Sequence, residues 1–360
     1  MKQFRVAVVG ATGMVGQRFL TLLDGHPWFD VAAVAASPRS AGQPYGQAVA
    51  GRWMMDRLIP QRVLGMTVLD ASDVKRVSAE VDFVFCAVDM NKDEIRALEE
   101  AYAKAETPVV SNNSANRHIP DVPMLSPEIN PEHAEIITLQ RRRLGTRSGF
   151  IAVKPNCSIQ SYVPVLHPLR GFGLKEVSVC TYQAVSGAGK RLADWPEMED
   201  NVIPYIGGEE VKSEREPLKV WGELTGEGII SAQTPVIAAQ CLRVPVSDGH
   251  IAAVSVRFDK KPSGQEILEA WRNWETVPQQ LGLPSAPTPF LRYFEEADRP
   301  QPRLDKNEGR GMAVTVGRLR EDPIFDWRFV ALSHNTLRGA AGGGVLTAEL
   351  LCKQGWIKHK

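Results

Sequence analysis

Phe4-Arg5-Val6-Ala7-Val8-Val9-Gly10-Ala11-Thr12-Gly13-Met14-Val15-Gly16 decides the fold of this 360-residue chain. Its opening is a short, largely apolar run, the pattern of a strand buried on both faces. A glycine turn follows, and then Val15, Phe19, Leu22 and Leu23 mark one face of a helix. Strand, glycine turn and helix form the context of a dinucleotide-binding fingerprint. Glycines permit a tight turn and close backbone approach, so that N–H groups at the helix start meet a pyrophosphate. The spacing is G-x-x-G-x-x-G rather than G-x-G-x-x-G, and a structural glycine turn in another α/β protein is the alternative. Gly10, Thr12, Gly13, Met14 and Val15 are the candidate cofactor contacts.

Working outward, a second strand, Val31–Ala36, ends in Ser37-Pro38-Arg39-Ser40. An NAD site usually places an acidic residue near this end to hold the ribose 2′-hydroxyl. None is there, and Asp30 precedes the strand. The hydroxyls of Ser37 and Ser40 and the cation of Arg39 suit a 2′-phosphate, so NADP is the expected cofactor; a solvated loop is the alternative. Val81–Val88 reads as a third strand and Thr107–Val110 as a fourth, with a helical composition from Asn91 to Lys104 between them. Strands alternating with helices predict a doubly wound parallel sheet. Cys86 reads as a small core residue and Arg141-Arg142-Arg143 as a solvated helix end.

Charge adds little direction. There are 42 Lys plus Arg against 42 Asp plus Glu, so no global field draws in nucleic acid or an anionic membrane surface. No apolar stretch reaches the roughly 18 residues of a membrane span. The basic start is followed by an apolar run broken at Gly10, without a cleavage site, so no leader is expected. Five scattered cysteines without metal-like pairing point to a reducing, cytoplasmic compartment and to no bound metal. The length predicts two domains.

Chemistry becomes plausible in Ile151-Ala152-Val153-Lys154-Pro155-Asn156-Cys157-Ser158-Ile159. A strand runs into a single Cys at a predicted helix start, where N–H groups would stabilise a thiolate and hold a carbonyl oxyanion. Pro164 and Pro168 make that helix short or kinked. A lone Cys is often structural. Its candidate partner lies in Arg243-Val244-Pro245-Val246-Ser247-Asp248-Gly249-His250, since a Cys–His pair combines a nucleophile with a proton-transfer base.

These residues, taken together, resemble the aspartate-β-semialdehyde dehydrogenases, of the archaeal and fungal branch. The likeness runs along nearly the whole chain: the N-terminal glycine turn, Ser111-Asn112-Asn113-Ser114-Ala115-Asn116-Arg117, Pro155-Asn156-Cys157-Ser158, and Tyr182-Gln183-Ala184-Val185-Ser186-Gly187-Ala188-Gly189. It continues through Gly208-Glu209-Glu210-Val211-Lys212, Arg243 to His250, and Asn335-Thr336-Leu337-Arg338-Gly339-Ala340-Ala341-Gly342. Lys154 departs from the Asn that many members carry there. The resemblance implies that Cys157 is the nucleophile, His250 the general acid/base and Gln183 the residue that orients the acyl group. It implies that Arg243 clamps the substrate carboxylate, Glu209 (or its neighbour Glu210) holds the ammonium, and Lys212 and Arg117 bind phosphate. Asn156 precedes the nucleophile, and Asn335 faces the nicotinamide end of the cofactor.

The implied fold is a Rossmann-like first domain, residues 1–156, completed by a C-terminal helix within 335–360. A catalytic and dimerisation domain, 157–334, would carry an antiparallel or mixed sheet. The final helix, about Gly339 to Gln354, shows an apolar face at Val345, Leu346, Ala348 and Leu350. The implied reaction interconverts L-4-aspartyl phosphate and L-aspartate 4-semialdehyde plus phosphate through a Cys thioacyl intermediate, in lysine, threonine and methionine biosynthesis. A homodimer or homotetramer is expected, with a small-molecule substrate and phosphate as its partners. Malonyl-CoA reductase is the alternative, and a non-enzymatic NADP(H) sensor a more distant one.

Overall fold

The computed structural model describes residues 2–360 and divides into two compact units. One comprises residues up to Lys154 with Leu224–Ile230 and Ala341–Lys360; the other comprises Pro155–Glu223 and Ser231–Ala340.

The first unit is built on six parallel strands: β1 (Phe4–Val9), β2 (Phe29–Ala36), β3 (Leu69–Asp70), β4 (Phe83–Cys86), β5 (Val109–Ser111) and β6 (Ile151–Val153). They lie in the order β3-β2-β1-β4-β5-β6. Val6 through Val9 are fully buried without alternation, because helices cover both faces of such a sheet. Strand order reverses between β1 and β4, so a crevice opens beyond their carboxyl ends. There the chain turns at Gly10, and the helix Met14–Leu23 begins. A Cβ on Gly16 would stand 2.2 Å from the Gly10 carbonyl oxygen, so only glycine lets the helix start sit on the turn. The helix Lys92–Lys104 follows β4 and is started by a capping box of Asn91 and Glu94.

Some boundaries differ from the sequence expectation. The second strand starts at Phe29, so Asp30 is inside it, ion-paired with Arg62 and still at the end remote from the glycine turn. The third expected strand is trimmed at both ends, Asp82 being drawn off to accept the Arg5 N–H. At the C-terminus, a π-type turn, Leu337–Ala341, precedes the helix Gly342–Lys353. That helix does not present one apolar face. Every residue from Gly342 to Leu351 is buried, including Glu349, whose carboxylate meets His26 Nε2 at 2.9 Å. Leu346, Leu350 and Leu351 are fully enclosed, each worth about 1.5–3 kcal/mol of burial.

The second unit carries a mixed six-stranded sheet made of β7 (Leu174–Gln183), β10 (Val236–Arg243), β11 (His250–Phe258), β12 (Leu291–Phe294), β13 (Val314–Glu321) and β14 (Trp327–Ser333). The order is β10-β7-β11-β14-β13-β12. A separate two-stranded ribbon, β8 (Glu223–Thr225) and β9 (Gly228–Ile230), lies between β7 and β10 in the chain. The strands alternate: in β11, His250, Ala252, Val254, Val256 and Phe258 are buried while Ile251, Ala253, Ser255 and Arg257 are half-buried. Among the described residues no helix is long and apolar enough to cross a membrane.

Candidate active site

Sheet topology gathers the site of the second unit. β7 and β10 are parallel, with Gln183 paired to Arg243, so their carboxyl ends lie side by side. β11 runs antiparallel to β7, with Ile251 opposite Tyr182, which brings its first residue, His250, to the same end. Gln183, Arg243 and His250 all fall on the buried face.

Cys157 stands before a four-residue 3₁₀ turn, Ser158–Ser161. The helix start is a short one, as Pro164 and Pro168 predict: the segment is broken into short pieces, leaving no extended macrodipole behind the thiol. Asn156 holds the turn instead. Its N–H donates to Glu216 Oε2 (2.6 Å), its side-chain oxygen accepts from the Ser158 N–H (2.8 Å), and its amide donates to Glu209 Oε1 (3.1 Å). Gly339 supports the other side, where a Cβ would come within 2.9 Å of the Cys157 Cβ.

The thiol Sγ is 3.6 Å from His250 Nε2. The other ring nitrogen, Nδ1, accepts the backbone N–H of Ala184 at 3.0 Å. Burial pushes the His250 pKa well below the ordinary range, with the charge of Arg243 and then His334 adding to the effect. Arg243 Nη1 donates to the Ala184 carbonyl at 2.7 Å, so one residue's backbone orients both the imidazole and the guanidinium. Burial lowers the Arg243 pKa, opposed by the charges of Cys157, Glu209 and Cys241.

Glu209 opens the helix Glu209–Val220. Its carboxylate accepts from Lys212 Nζ (2.7 Å), Asn156 and Gln183 Nε2 (3.3 Å). Glu210 points elsewhere, to the Cys241 N–H, so Glu209 is the acid within this cluster. Asn335 has both amide ends engaged: its oxygen accepts the Gly249 N–H and its nitrogen donates to Ser186 Oγ, each at 2.8 Å. It therefore braces the turn that delivers His250.

In the first unit a cavity of about 550 Å³ is lined by Gly10, Thr12, Gly13, Ser37, Arg39 and Ser40, together with Ala87 and Val88. Met14 and Val15 are not in its wall, and Val15 packs on the core instead. No side chain caps the helix at Gly13, which leaves its first N–H groups suited to phosphate. The donor set of the wall thus fits a dinucleotide with a 2′-phosphate. Arg52, which the sequence reading missed, also lines the cavity, and Gln17 fixes its segment by donating to the carbonyls of Thr12 and Arg52. Arg39→Ala is expected to raise the KM for NADP about fivefold to tenfold with little change for NAD, as removal of one exposed charge-assisted contact predicts. Initial rates with both cofactors check this.

Arg117 lies in the first unit on the Ser111–Arg117 loop, its guanidinium donating to the Asn112 carbonyl. Beneath the loop, fully buried Glu99 accepts from Ser111 Oγ (2.5 Å), Asn113 (3.0 Å) and Asn116 (2.6 Å). Burial raises its pKa against the lowering effect of those bonds. A signal for it existed: Glu99 interrupts the apolar stripe Ile95, Leu98, Tyr102 of its helix. Glu216 is likewise a buried acid, beside Ser213, Pro217 and Val220 on its helix.

Two family models match the chain: "Semialdehyde dehydrogenase, NAD binding domain" over residues 5–137 and "Semialdehyde dehydrogenase, dimerisation domain" over residues 166–338. The aspartate-semialdehyde dehydrogenase of Methanothermobacter thermautotrophicus is 45% identical over 349 residues, covering 96% of this chain and 98% of that protein. The one from Saccharomyces cerevisiae is 40% identical, covering 97% and 98%. The crystal structure of the Candida albicans aspartate semialdehyde dehydrogenase with NADP superposes with a TM-score of 0.88 at 36% identity, over 99% of this chain and all of that one.

Proposed function

Because the chain belongs to the aspartate-semialdehyde dehydrogenase family, we propose that it interconverts L-4-aspartyl phosphate and L-aspartate 4-semialdehyde plus phosphate through an acyl group carried on Cys157. It is an NADP-dependent oxidoreductase acting on an aldehyde. Held by Gly10, Thr12, Gly13, Ser37, Arg39 and Ser40, the cofactor supplies hydride to the acyl carbon when bound. Cys157 attacks the acyl phosphate carbon, phosphate leaves, and the thioester remains on sulfur. A thiol suits both directions, since it attacks well and leaves well. Gln183 orients the acyl group, and His250 serves the carbonyl oxygen through Nε2.

One observation carries the substrate assignment: opposite charges share the thiol's end of the sheet. Arg243 keeps guanidinium donors beyond the one given to Ala184, and these fit a carboxylate. Glu209 fits an ammonium. An amino-acid substrate needs both, whereas a malonyl thioester has no ammonium to place, and that alternative is not favoured. Phosphate binding is given to Lys212, which here meets Glu209, and, in the first unit, to Arg117; Asn156 and Asn335 keep Cys157 and His250 in place.

The other face of the second sheet carries exposed Tyr182 and half-buried Leu242, Ile251, Ala253 and Val330 in adjacent strands, a surface we assign to self-association as a dimer. A reactive thiol operates reduced, which fits a cytoplasmic setting. Alkylation tests the site. Iodoacetamide is expected to modify Cys157 with loss of activity, and aspartate semialdehyde to slow that loss. Inactivation that tracks another cysteine would contradict the assignment.

A further inference from the structure

We propose that Glu99 is a positioning residue for phosphate binding: from beneath, its carboxylate fixes the loop 111–117 so that the Arg117 guanidinium is held ready for the anion. The inference rests on the reading of Arg117 as a phosphate ligand. All of its groups belong to the first unit.

No step of the reaction uses Glu99, yet it is fully buried on the helix Lys92–Lys104. A buried carboxylate is costly unless hydrogen bonds compensate it, and here three donors do so, all from one loop. Oε1 accepts from Ser111 Oγ at 2.5 Å and Asn113 Nδ2 at 3.0 Å, and Oε2 from Asn116 Nδ2 at 2.6 Å. Ser111 Oγ passes the constraint on by accepting the Asn113 N–H at 3.0 Å. One turn earlier on the same helix, Arg96 Nε donates to the Ala115 carbonyl, also at 3.0 Å. The side chain of Arg117 is therefore fixed at both ends. Its backbone follows Asn116 directly, and its Nη2 donates at 3.1 Å to the carbonyl of Asn112, which lies between the two residues bound to Oε1. Asn112 is itself anchored, its N–H donating to the Cys86 carbonyl at the end of β4 (2.9 Å).

A guanidinium in place before the anion arrives loses less freedom on binding, so loosening the loop weakens phosphate binding rather than the thiol chemistry. Glutamine in place of Glu99 keeps the shape but turns one acceptor oxygen into an N–H₂ group. That group meets Asn116 on one side, or Ser111 and Asn113 on the other, donor against donor in a place closed to water. The dinucleotide cavity is walled by residues outside loop 111–117, so cofactor binding stays apart from the effect.

Full-length enzyme tests this through the phosphate dependence of NADP reduction by aspartate semialdehyde. Glu99→Gln is expected to raise the phosphate KM about tenfold, while the KM values for NADP and semialdehyde, and kcat at saturating phosphate, stay within about twofold. Arg117→Ala is expected to raise the phosphate KM at least as far. Combining the two should add nothing beyond Arg117→Ala, because Glu99 acts on phosphate only through that side chain. An acid that merely stabilises the fold would lower the thermal midpoint and leave the phosphate KM unmoved, and that result would overturn the inference. Additive effects in the double variant would overturn it too. Should Glu99→Gln not fold, Asn113→Ala decides, since it trims one half-buried donor and leaves the acid in place. It is expected to raise the phosphate KM about threefold, no change being the contrary result. An unchanged phosphate KM in Arg117→Ala would contradict the phosphate role of Arg117 itself, and the inference with it. A raised KM there beside an unchanged one in Glu99→Gln would overturn only the part given to Glu99.

Discussion

Cys157→Ser is expected to lower kcat by at least about 10³-fold, the scale on which loss of a nucleophile is felt. A hydroxyl is a far weaker acid than a thiol and a far poorer leaving group, so both formation and breakdown of the acyl enzyme suffer. Serine would also depend wholly on a base to remove its proton, whereas a thiol ionises far more readily. NADP affinity should stay within about twofold, because the dinucleotide cavity is walled by residues of the first unit alone. Turnover measured beside a cofactor titration checks both halves. Full activity in the variant would remove Cys157 from the mechanism.

The second large effect is expected at Arg243. Its Nη1 is committed to the Ala184 carbonyl, and the planar fork leaves further N–H groups for a substrate carboxylate. A lysine ammonium cannot serve both in that geometry. Losing a buried charge-assisted contact costs about 1.5–3 kcal/mol, so Arg243→Lys should raise the aldehyde KM about 10- to 100-fold. kcat should fall less, since Ala184 retains its N–H contact to His250. Steady-state kinetics at saturating NADP measure the split; unchanged KM would place Arg243 outside the substrate's reach.

How much of this was legible in the sequence depends on the range of the interactions concerned. The first strand, its glycine turn and the helix at Val15, Phe19 and Leu23 are set by local periodicity, and the parallel sheet follows from their alternation. The edge strand Leu69–Asp70 was not legible, because it is too short for any period to show. The second sheet was legible only as a class. The register of Gln183 against Arg243 joins strands separated by the Glu209–Val220 helix and a two-stranded ribbon, and no local pattern states it. Cys157 and His250 were readable as candidates from their flanking residues and the resemblance, while their 3.6 Å approach is a product of strand order. The broken helix after Cys157 was announced by Pro164 and Pro168. Glu99 and Glu216 were visible in principle, as acids on otherwise buried helix stripes. The Ala184 N–H, which orients the His250 ring, was not visible at all, since a backbone donor leaves no mark on residue identity. Met14 and Val15 belong to the motif through their backbone: their side chains lie outside the cavity wall, while the uncapped N–H groups of the helix start are theirs.

The central claim is that the thiol, the carboxylate clamp and the phosphate-binding residues serve one phosphorylating oxidation. The direct measurement is NADP reduction by aspartate semialdehyde, followed by the absorbance of NADPH, with and without inorganic phosphate, beside NADPH oxidation by malonyl-CoA. Phosphate-dependent reduction with the semialdehyde, and no oxidation with malonyl-CoA, is the expected result. Activity on malonyl-CoA alone would contradict the account, removing the roles given to Glu209 and Arg243 while leaving the thiol chemistry of Cys157 in place.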